Sequence, residues 1–115
     1  PTLTLHEKIH LVRLIKPIAN KAGIPLMSGA GSNNTAKSVE EAQAIVAEGV
    51  DALLAVVPYY NKPSQAGMMA HFAAIAQAVP QTPVVIYNIP GRCGALMSPE
   101  TMLTLHAQHP NIVGV

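Results

Sequence analysis

Apolar residues in this chain alternate between long stretches with helical periodicity and short stretches rich in β-branched side chains. Over residues 5–21 they recur at steps of three and four, which predicts an amphipathic helix with a kink at Pro17 and an end at Gly23. Three further helices are predicted over residues 35–47, over 64–78 and from Ser98 onward, and four strands over residues 25–28, 52–57, 84–89 and 111–115. The predicted order is α-β-α-β-α-β-α-β.

The predicted strands begin about thirty residues apart, which is the length of one βα unit. Each strand is a continuous apolar run, as expected for a parallel sheet covered by helices on its outer face. An open doubly wound sheet and a (β/α)8 TIM barrel both fit this order, and the near-equal units favour the barrel. A complete barrel needs about 250 residues. The α/β chain is therefore expected to form about half of one, as a partial domain over residues 1–115 that is truncated at both ends.

Composition narrows the class of protein. Only 11% of the residues are charged and the formal net charge is +1, so there is no electrostatic case for binding nucleic acid or an anionic membrane. No apolar run approaches the roughly 18 residues of a membrane span. The single cysteine, Cys93, excludes an internal disulfide and suits a reducing cytoplasm. Because half a barrel has open sheet edges, the isolated chain is expected to be marginally stable, aggregated or dimerised.

One motif at the start of the chain resembles a zinc site. His6 and His10 flank Glu7 in an H-E-x-x-H pattern, in which the histidines share a helix face and the glutamate could act as a base in a zinc peptidase. A capping box between Thr4 and Glu7 accounts for the same glutamate at a helix start. The next acid, Glu40, is separated from the motif by a predicted strand. The capping box is therefore the favoured interpretation.

The loop over residues 29–34 resembles a dinucleotide-binding turn, because it follows a strand, precedes a helix and begins G-x-G. Asp51 lies at a suitable distance for a ribose-binding acid, but Asn34 replaces the third glycine. An ordinary turn at the end of a strand is the favoured interpretation.

The remaining polar and sulfur-containing side chains carry weaker signals. The isolated histidines are expected in solvated or capping positions; these are His71, His106 and His109. Cys93 is expected to be a small packed side chain, and Met68 and Met69 are expected to fill the core.

Polar groups cluster where the predicted strands end, which is where active sites of (β/α)8 barrels lie. All three tyrosines of the chain stand in these positions: Tyr59 and Tyr60 after the second strand, and Tyr87 in the third. The adjacent pair is expected to point to different sides, so that one ring packs while the other is available for chemistry. Arg92, in the loop after Tyr87, is a suitable group for binding a carboxylate. An active site is therefore predicted at this edge.

Four segments carry a resemblance to a known family: GAGSNNTA (29–36), PYYNKP (58–63), YNIPGR (87–92) and PNIVGV (110–115). In order and spacing they are similar to the 4-hydroxy-tetrahydrodipicolinate synthases, pyruvate-dependent lyases of lysine and diaminopimelate biosynthesis. The resemblance implies a cytoplasmic homotetramer with a TIM-barrel fold and no cofactor or metal. It also implies condensation of pyruvate with L-aspartate 4-semialdehyde through a lysine Schiff base. N-acetylneuraminate lyases and hydroxy-oxoglutarate aldolases are the alternative, although they usually lack the arginine.

The resemblance also assigns roles to individual residues. Tyr87 corresponds to the tyrosine that hydrogen-bonds pyruvate and relays protons, and Tyr60 to one inserted across a dimer interface into the neighbouring site. Tyr59 corresponds to an interface aromatic, and Arg92 to the arginine that binds the carboxylate of aspartate semialdehyde. The Schiff-base lysine of the family would follow Val115 directly, so the chain as given is expected to be inactive while its parent is active.

One departure from the family pattern concerns feedback inhibition by lysine. Inhibited members carry histidines in the first helix and an acid in the second, whereas this chain has Leu5, Lys8 and Lys37 in these places. Because a lysine side chain repels a lysine ligand, the resemblance implies weak or absent feedback in the parent.

Overall fold

Four parallel strands form a single sheet in chain order. The computed structural model describes residues 2–115. The elements are α1 (Leu5–Ala22), β1 (Met27–Ala30), α2 (Thr35–Ala47), β2 (Ala52–Val56), α3 (Gln65–Ala78), β3 (Val84–Tyr87), α4 (Pro90–Cys93), α5 (Pro99–Gln108) and β4 (Ile112–Gly114). The strands pair in the order β1-β2-β3-β4. A doubly wound sheet reverses its strand order, whereas a barrel does not, so the predicted half of a (β/α)8 barrel is confirmed.

The helix caps predicted at Thr4, Gly23 and Ser98 are present in the structure. Thr4 and Glu7 form the reciprocal capping box of α1, with the Thr4 N–H donating to the Glu7 carboxylate at 2.7 Å and the Glu7 N–H donating to the Thr4 hydroxyl at 3.3 Å. Helix α1 continues through Pro17 and ends at Gly23, which adopts the left-handed conformation at φ 68°. The Ser98 hydroxyl caps α5 by accepting from a backbone N–H.

Several predicted boundaries differ from the structure, namely both ends of β1, the ends of β2 and β3, and both ends of β4. Strand β1 begins at Met27 instead of Pro25, because the first residue that β2 offers as a partner, Ala52, pairs with Met27. Strand β3 ends at Tyr87, two residues earlier than predicted. The segment predicted as a loop after it contains the one-turn helix α4, in which Pro90 occupies the first turn and the Gly94 N–H returns to the Pro90 carbonyl at 2.9 Å.

The sheet has one covered face and one open face. Leu53, Val84 and Ile112 stand in register on adjacent strands and are buried beneath apolar side chains of α2, α3 and α5. The alternate residues point the other way, and we define the open face by Met27, Leu54, Val85, Tyr87 and Val113. In a (β/α)8 barrel this is the face that turns towards the barrel axis.

Helix α1 is attached to the segment that carries α2 and β2 by three ion pairs. These are Lys8–Glu41, Arg13–Glu48 and Lys16–Asp51. Val12 is the residue of α1 that enters the apolar core. Within residues 2–115, no helix combines the length and the apolar character that crossing a membrane requires.

Candidate active site

Tyr87 ends strand β3 on the open face. It pairs in register with Val56, and its carbonyl oxygen accepts from the Val57 N–H at 3.0 Å. The preceding residue, Ile86, is buried against the helices, so the alternation of the strand turns the Tyr87 side chain away from them. The side chain is 40% exposed. Its phenol is therefore available at the carboxyl end of the sheet.

The two tyrosines after β2 have different environments. Tyr59 is half-buried and packs against the hydrophobic core, whereas Tyr60 is 87% exposed. Tyr60 also has a φ of 68°, a left-handed conformation that costs a non-glycine residue about 1 kcal/mol or more. The Tyr60 N–H donates to the Cys93 carbonyl oxygen at 3.3 Å. The loop thus directs Tyr60 away from its own domain, in agreement with the expectation that the pair separates.

Arg92 is carried by α4, between the loops of Tyr60 and Tyr87. The next residue, Cys93, is buried and anchors this short helix in the core, as the sequence predicts for that cysteine. The Arg92 side chain is exposed. Within residues 2–115 the three ion pairs all involve α1, so none of the described carboxylates neutralises the guanidinium. An exposed, unneutralised arginine is suited to binding an anionic ligand.

The loop after β1 is joined to the loop after β2 by paired asparagines. The Asn33 side-chain amide donates to the Asn61 side-chain oxygen at 3.1 Å, and the Asn61 amide donates to the Asn33 carbonyl at 3.1 Å. Gly31 has a φ of 98°, a backbone conformation that side chains with a Cβ rarely adopt. The turn after β1 thus explains this glycine. The asparagine pair was not identified from the sequence, because nothing local links two residues 28 positions apart.

Together these loops bring two phenols and a guanidinium to one edge of the sheet. Val57 links the Tyr60 loop to Tyr87, and the bond from Tyr60 to Cys93 links the same loop to the helix of Arg92. Phenols can transfer protons and a guanidinium can bind a carboxylate, so the edge is equipped for acid–base chemistry on an anionic substrate. Two surface grooves lie elsewhere, one between the C-terminal ends of α2 and α3 and another along α5 and β4.

The H-E-x-x-H motif has a structural role at its glutamate. Hydrogen bonds from the backbone and then the hydroxyl of Thr4 lower the pKa of Glu7, which fits its place in the capping box. His6 and His10 are exposed. Across residues 2–115, no three histidine, cysteine or acidic side chains are grouped closely enough to hold a metal ion. The two histidines are therefore not joined by a third ligand from this part of the chain.

The expectation that His71 is solvated or capping is wrong. The side chain is only 3% exposed, between α2 and α3, and its Nδ1 lies 2.9 Å from the hydroxyl oxygen of Thr35. Its ring meets Phe72 edge-on at 5.4 Å, and Nε2 has no hydrogen-bond partner among the described residues. His106, by contrast, is exposed, as predicted, and its Nδ1 lies 2.7 Å from the Ile112 carbonyl oxygen of β4.

Burial of His71 makes the stability of the protein pH-dependent. Desolvation lowers the pKa of His71 below its usual 6.5, so the unfolded chain binds this proton more readily than the folded one. The free energy of unfolding is therefore independent of this proton above about pH 6.5 and decreases as the pH falls below that value. Urea unfolding of the full-length protein should show lower stability at about pH 5.5 than at pH 7.5.

A His71→Gln variant should lose most of this pH dependence while keeping a polar group near Thr35. Glu7, Glu48 and Asp51 have lowered pKa values, so their protonation changes the free energy of unfolding only at lower pH. An unchanged slope between pH 5.5 and 7.5 in the variant would show that His71 is not responsible.

Known proteins share this architecture and sequence. A sequence model of the dihydrodipicolinate synthetase family matches residues 1–115. The 4-hydroxy-tetrahydrodipicolinate synthase of Rhizobium meliloti (strain 1021) is 52% identical over 115 residues, covering 100% of this chain and 38% of that protein.

Two crystal structures of dihydrodipicolinate synthases also match. The protein from Cyanidioschyzon merolae, with lysine bound, has a TM-score of 0.95 at 46% identity, covering 97% of this chain and 38% of its own. The chloride-inhibited protein from Acinetobacter baumannii, complexed with pyruvate, has a TM-score of 0.91 at 44% identity, covering 98% and 38%. The chain spans little more than a third of the length of these relatives, and over its whole extent it belongs to the dihydrodipicolinate synthetase family.

Proposed function

We propose that the full-length protein is a lyase that condenses pyruvate with L-aspartate 4-semialdehyde to give 4-hydroxy-tetrahydrodipicolinate, through an imine on a lysine. Family membership and the names of the relatives support the reaction class. The complex of the Acinetobacter baumannii protein supports pyruvate as the first substrate. Tyr87 serves as the proton relay at the imine, and Arg92 binds the carboxylate of the aldehyde.

The register of the last two strands is the observation that carries this proposal. Val85 of β3 pairs with Gly114 of β4. Tyr87 lies two residues after Val85 in β3, so its partner in the same register would be the residue two positions after Gly114. That residue follows Val115 directly, and the family resemblance expects the lysine there. A phenol next to the imine nitrogen can donate and accept the protons that imine formation and hydrolysis require.

Tyr60 is the residue that would connect two subunits. Its exposure and its strained, outward-directed loop are suited to insertion into the site of a neighbouring copy. Tyr59, half-buried beside it, would lie at the same interface. In this proposal the protein is a cytoplasmic homotetramer in which Tyr60 completes the proton relay of its partner.

The proposed chemistry is tested by trapping the imine. Full-length protein incubated with pyruvate and borohydride should gain the mass of a reduced pyruvate adduct on the lysine that follows residue 115, and activity should be lost. Lysines inside the described chain serve as internal controls; Lys16 and Lys62 should remain unmodified. Trapping on one of these, or no pyruvate-dependent adduct, would contradict the proposal.

The choice of acceptor distinguishes the proposed reaction from its closest alternative. N-acetylneuraminate lyases and hydroxy-oxoglutarate aldolases use the same imine chemistry with other acceptors. Arg92 favours an acceptor that carries a carboxylate near the aldehyde. A panel of aldehydes should show the highest kcat/KM with aspartate 4-semialdehyde, and a preference for N-acetylmannosamine would support the alternative.

We also propose that lysine inhibits the full-length protein weakly or not at all. Lys37 is exposed at the start of α2 and brings positive charge to the helix where inhibited relatives are expected to carry an acid. Lys8 stands where those relatives are expected to carry a histidine, and its ammonium is already paired with Glu41. Titration with lysine should leave the rate nearly unchanged at submillimolar concentrations. Half-maximal inhibition in that range would contradict this.

A further inference from the structure

Four consecutive backbone groups after α4 are satisfied by two side-chain amides. Gln65, the first residue of α3, donates from Nε2 to the Leu96 carbonyl at 2.8 Å and accepts at Oε1 from the Ser98 N–H at 3.0 Å. Asn88, directly after β3, donates from Nδ2 to the Met97 carbonyl at 3.0 Å and accepts at Oδ1 from the Met97 N–H at 3.2 Å. The amides therefore provide the pairing that a neighbouring strand would otherwise give.

The helix that carries Arg92 lies between these anchor points. Met97 is fully buried, so the bonds from Asn88 close the segment over residues 89–96 at a fixed base. Gln65 holds the same end of the segment against α3 through its bonds to Leu96 and Ser98. The Thr101 hydroxyl donates to the same Oε1 at 2.7 Å. Because the Arg92 side chain has no carboxylate partner among the described residues, the backbone of α4 sets where its guanidinium can reach.

We propose that Gln65 and Asn88 are positioning residues that hold α4 where Arg92 can meet the carboxylate of the aldehyde substrate. This inference rests on the function proposed above. Two-bond pairing between guanidinium and carboxylate requires a defined approach, and a displacement of about 1 Å costs up to a hundredfold in rate. A loosened segment would also have to be ordered when the substrate binds, which lowers affinity.

Substituting each amide in the full-length protein tests the proposal. Gln65→Met keeps the length of the side chain and removes its hydrogen bonds. Asn88→Asp keeps the oxygen that accepts from the Met97 N–H. It replaces the donating Nδ2 with a second oxygen, which repels the Met97 carbonyl oxygen. Both variants should raise KM for the aldehyde by about tenfold. KM for pyruvate and the yield of trapped imine should change by less than about twofold. Gln77 is an exposed glutamine at the other end of α3, so Gln77→Met is the matched control. It should leave both KM values and the yield of trapped imine unchanged.

A double-mutant cycle separates positioning from general loss of structure. If Gln65 acts through Arg92, then Gln65→Met should add less than about twofold to the KM for the aldehyde once Arg92→Met is present. Full additivity in that background would overturn the proposal, and so would an equal rise of both KM values in the single variants.

Hydrogen exchange gives a readout that does not depend on activity. In both amide variants, but not in Gln77→Met, the backbone amides of Met97 and Ser98 should exchange faster without substrate. Unchanged protection would overturn the positioning role. Wild-type protein that forms no pyruvate adduct would overturn the proposed function alone, because the exchange measurement still decides whether the two side chains hold the segment.

Discussion

Replacing Tyr87 with phenylalanine in the full-length protein should lower kcat by about 10² to 10⁴, the usual loss when a positioned proton-transfer group is removed. The ring remains on the open face beside Val56, so the substitution deletes only the hydroxyl. In the proposed mechanism imine formation and condensation both use this proton relay, so trapping of the pyruvate adduct should also become slower. Steady-state kinetics and single-turnover trapping measure the two effects separately.

Tyr59→Phe is the matched control for this prediction. It makes the same chemical change on the half-buried ring that packs against the core, so kcat should fall far less than in Tyr87→Phe. If both variants lost activity equally, or if Tyr87→Phe retained more than about a tenth of the wild-type kcat, Tyr87 would not be the proton relay.

The second large effect is expected at Arg92. Arg92→Met should lower kcat/KM for aspartate semialdehyde by roughly a hundredfold, because a charge-assisted, two-bond contact is lost. In the proposed reaction the imine with pyruvate forms before the aldehyde binds, so trapping of pyruvate should be unaffected. Arg92→Lys should recover only part of the loss, since an ammonium cannot form the planar pair of bonds.

The chain provides one other arginine as a control. Arg13 pairs with Glu48 beside α1, away from the strand ends, so Arg13→Met should leave kcat/KM for both substrates nearly unchanged. Aldehydes without a carboxylate sharpen the test, because Arg92→Met should hardly change their kcat/KM. A similar loss for charged and uncharged acceptors would mean that Arg92 does not bind the carboxylate.

Local features of the fold could be predicted from the sequence. The Thr4–Glu7 capping box and the Ser98 cap depend on partners within three residues, so their patterns are readable in the chain. The face on which Tyr87 lies follows from strand alternation once the strand is identified. The start of β1 was misplaced, because it depends on where β2 offers a partner.

Features that depend on distant residues could not be predicted. His71 was expected near solvent, yet it is buried because α2 and α3 pack together and bring Thr35 beside it. Gln65 is bonded to residues 31 to 36 positions later, and no local pattern distinguishes it from the exposed Gln77. The left-handed conformation of Tyr60 was also missed, since it is unusual for any residue other than glycine or asparagine.

At Tyr60 the residue that would give the highest thermal stability differs from the residue that the proposed catalysis requires. A chain selected only for a high melting temperature would place asparagine there, because that residue tolerates a φ of 68° at lower cost. Such a replacement would also remove the phenol on which a neighbouring copy is proposed to depend. Screens for thermostable forms of this protein should therefore recover changes at position 60 that lengthen shelf life and abolish catalysis.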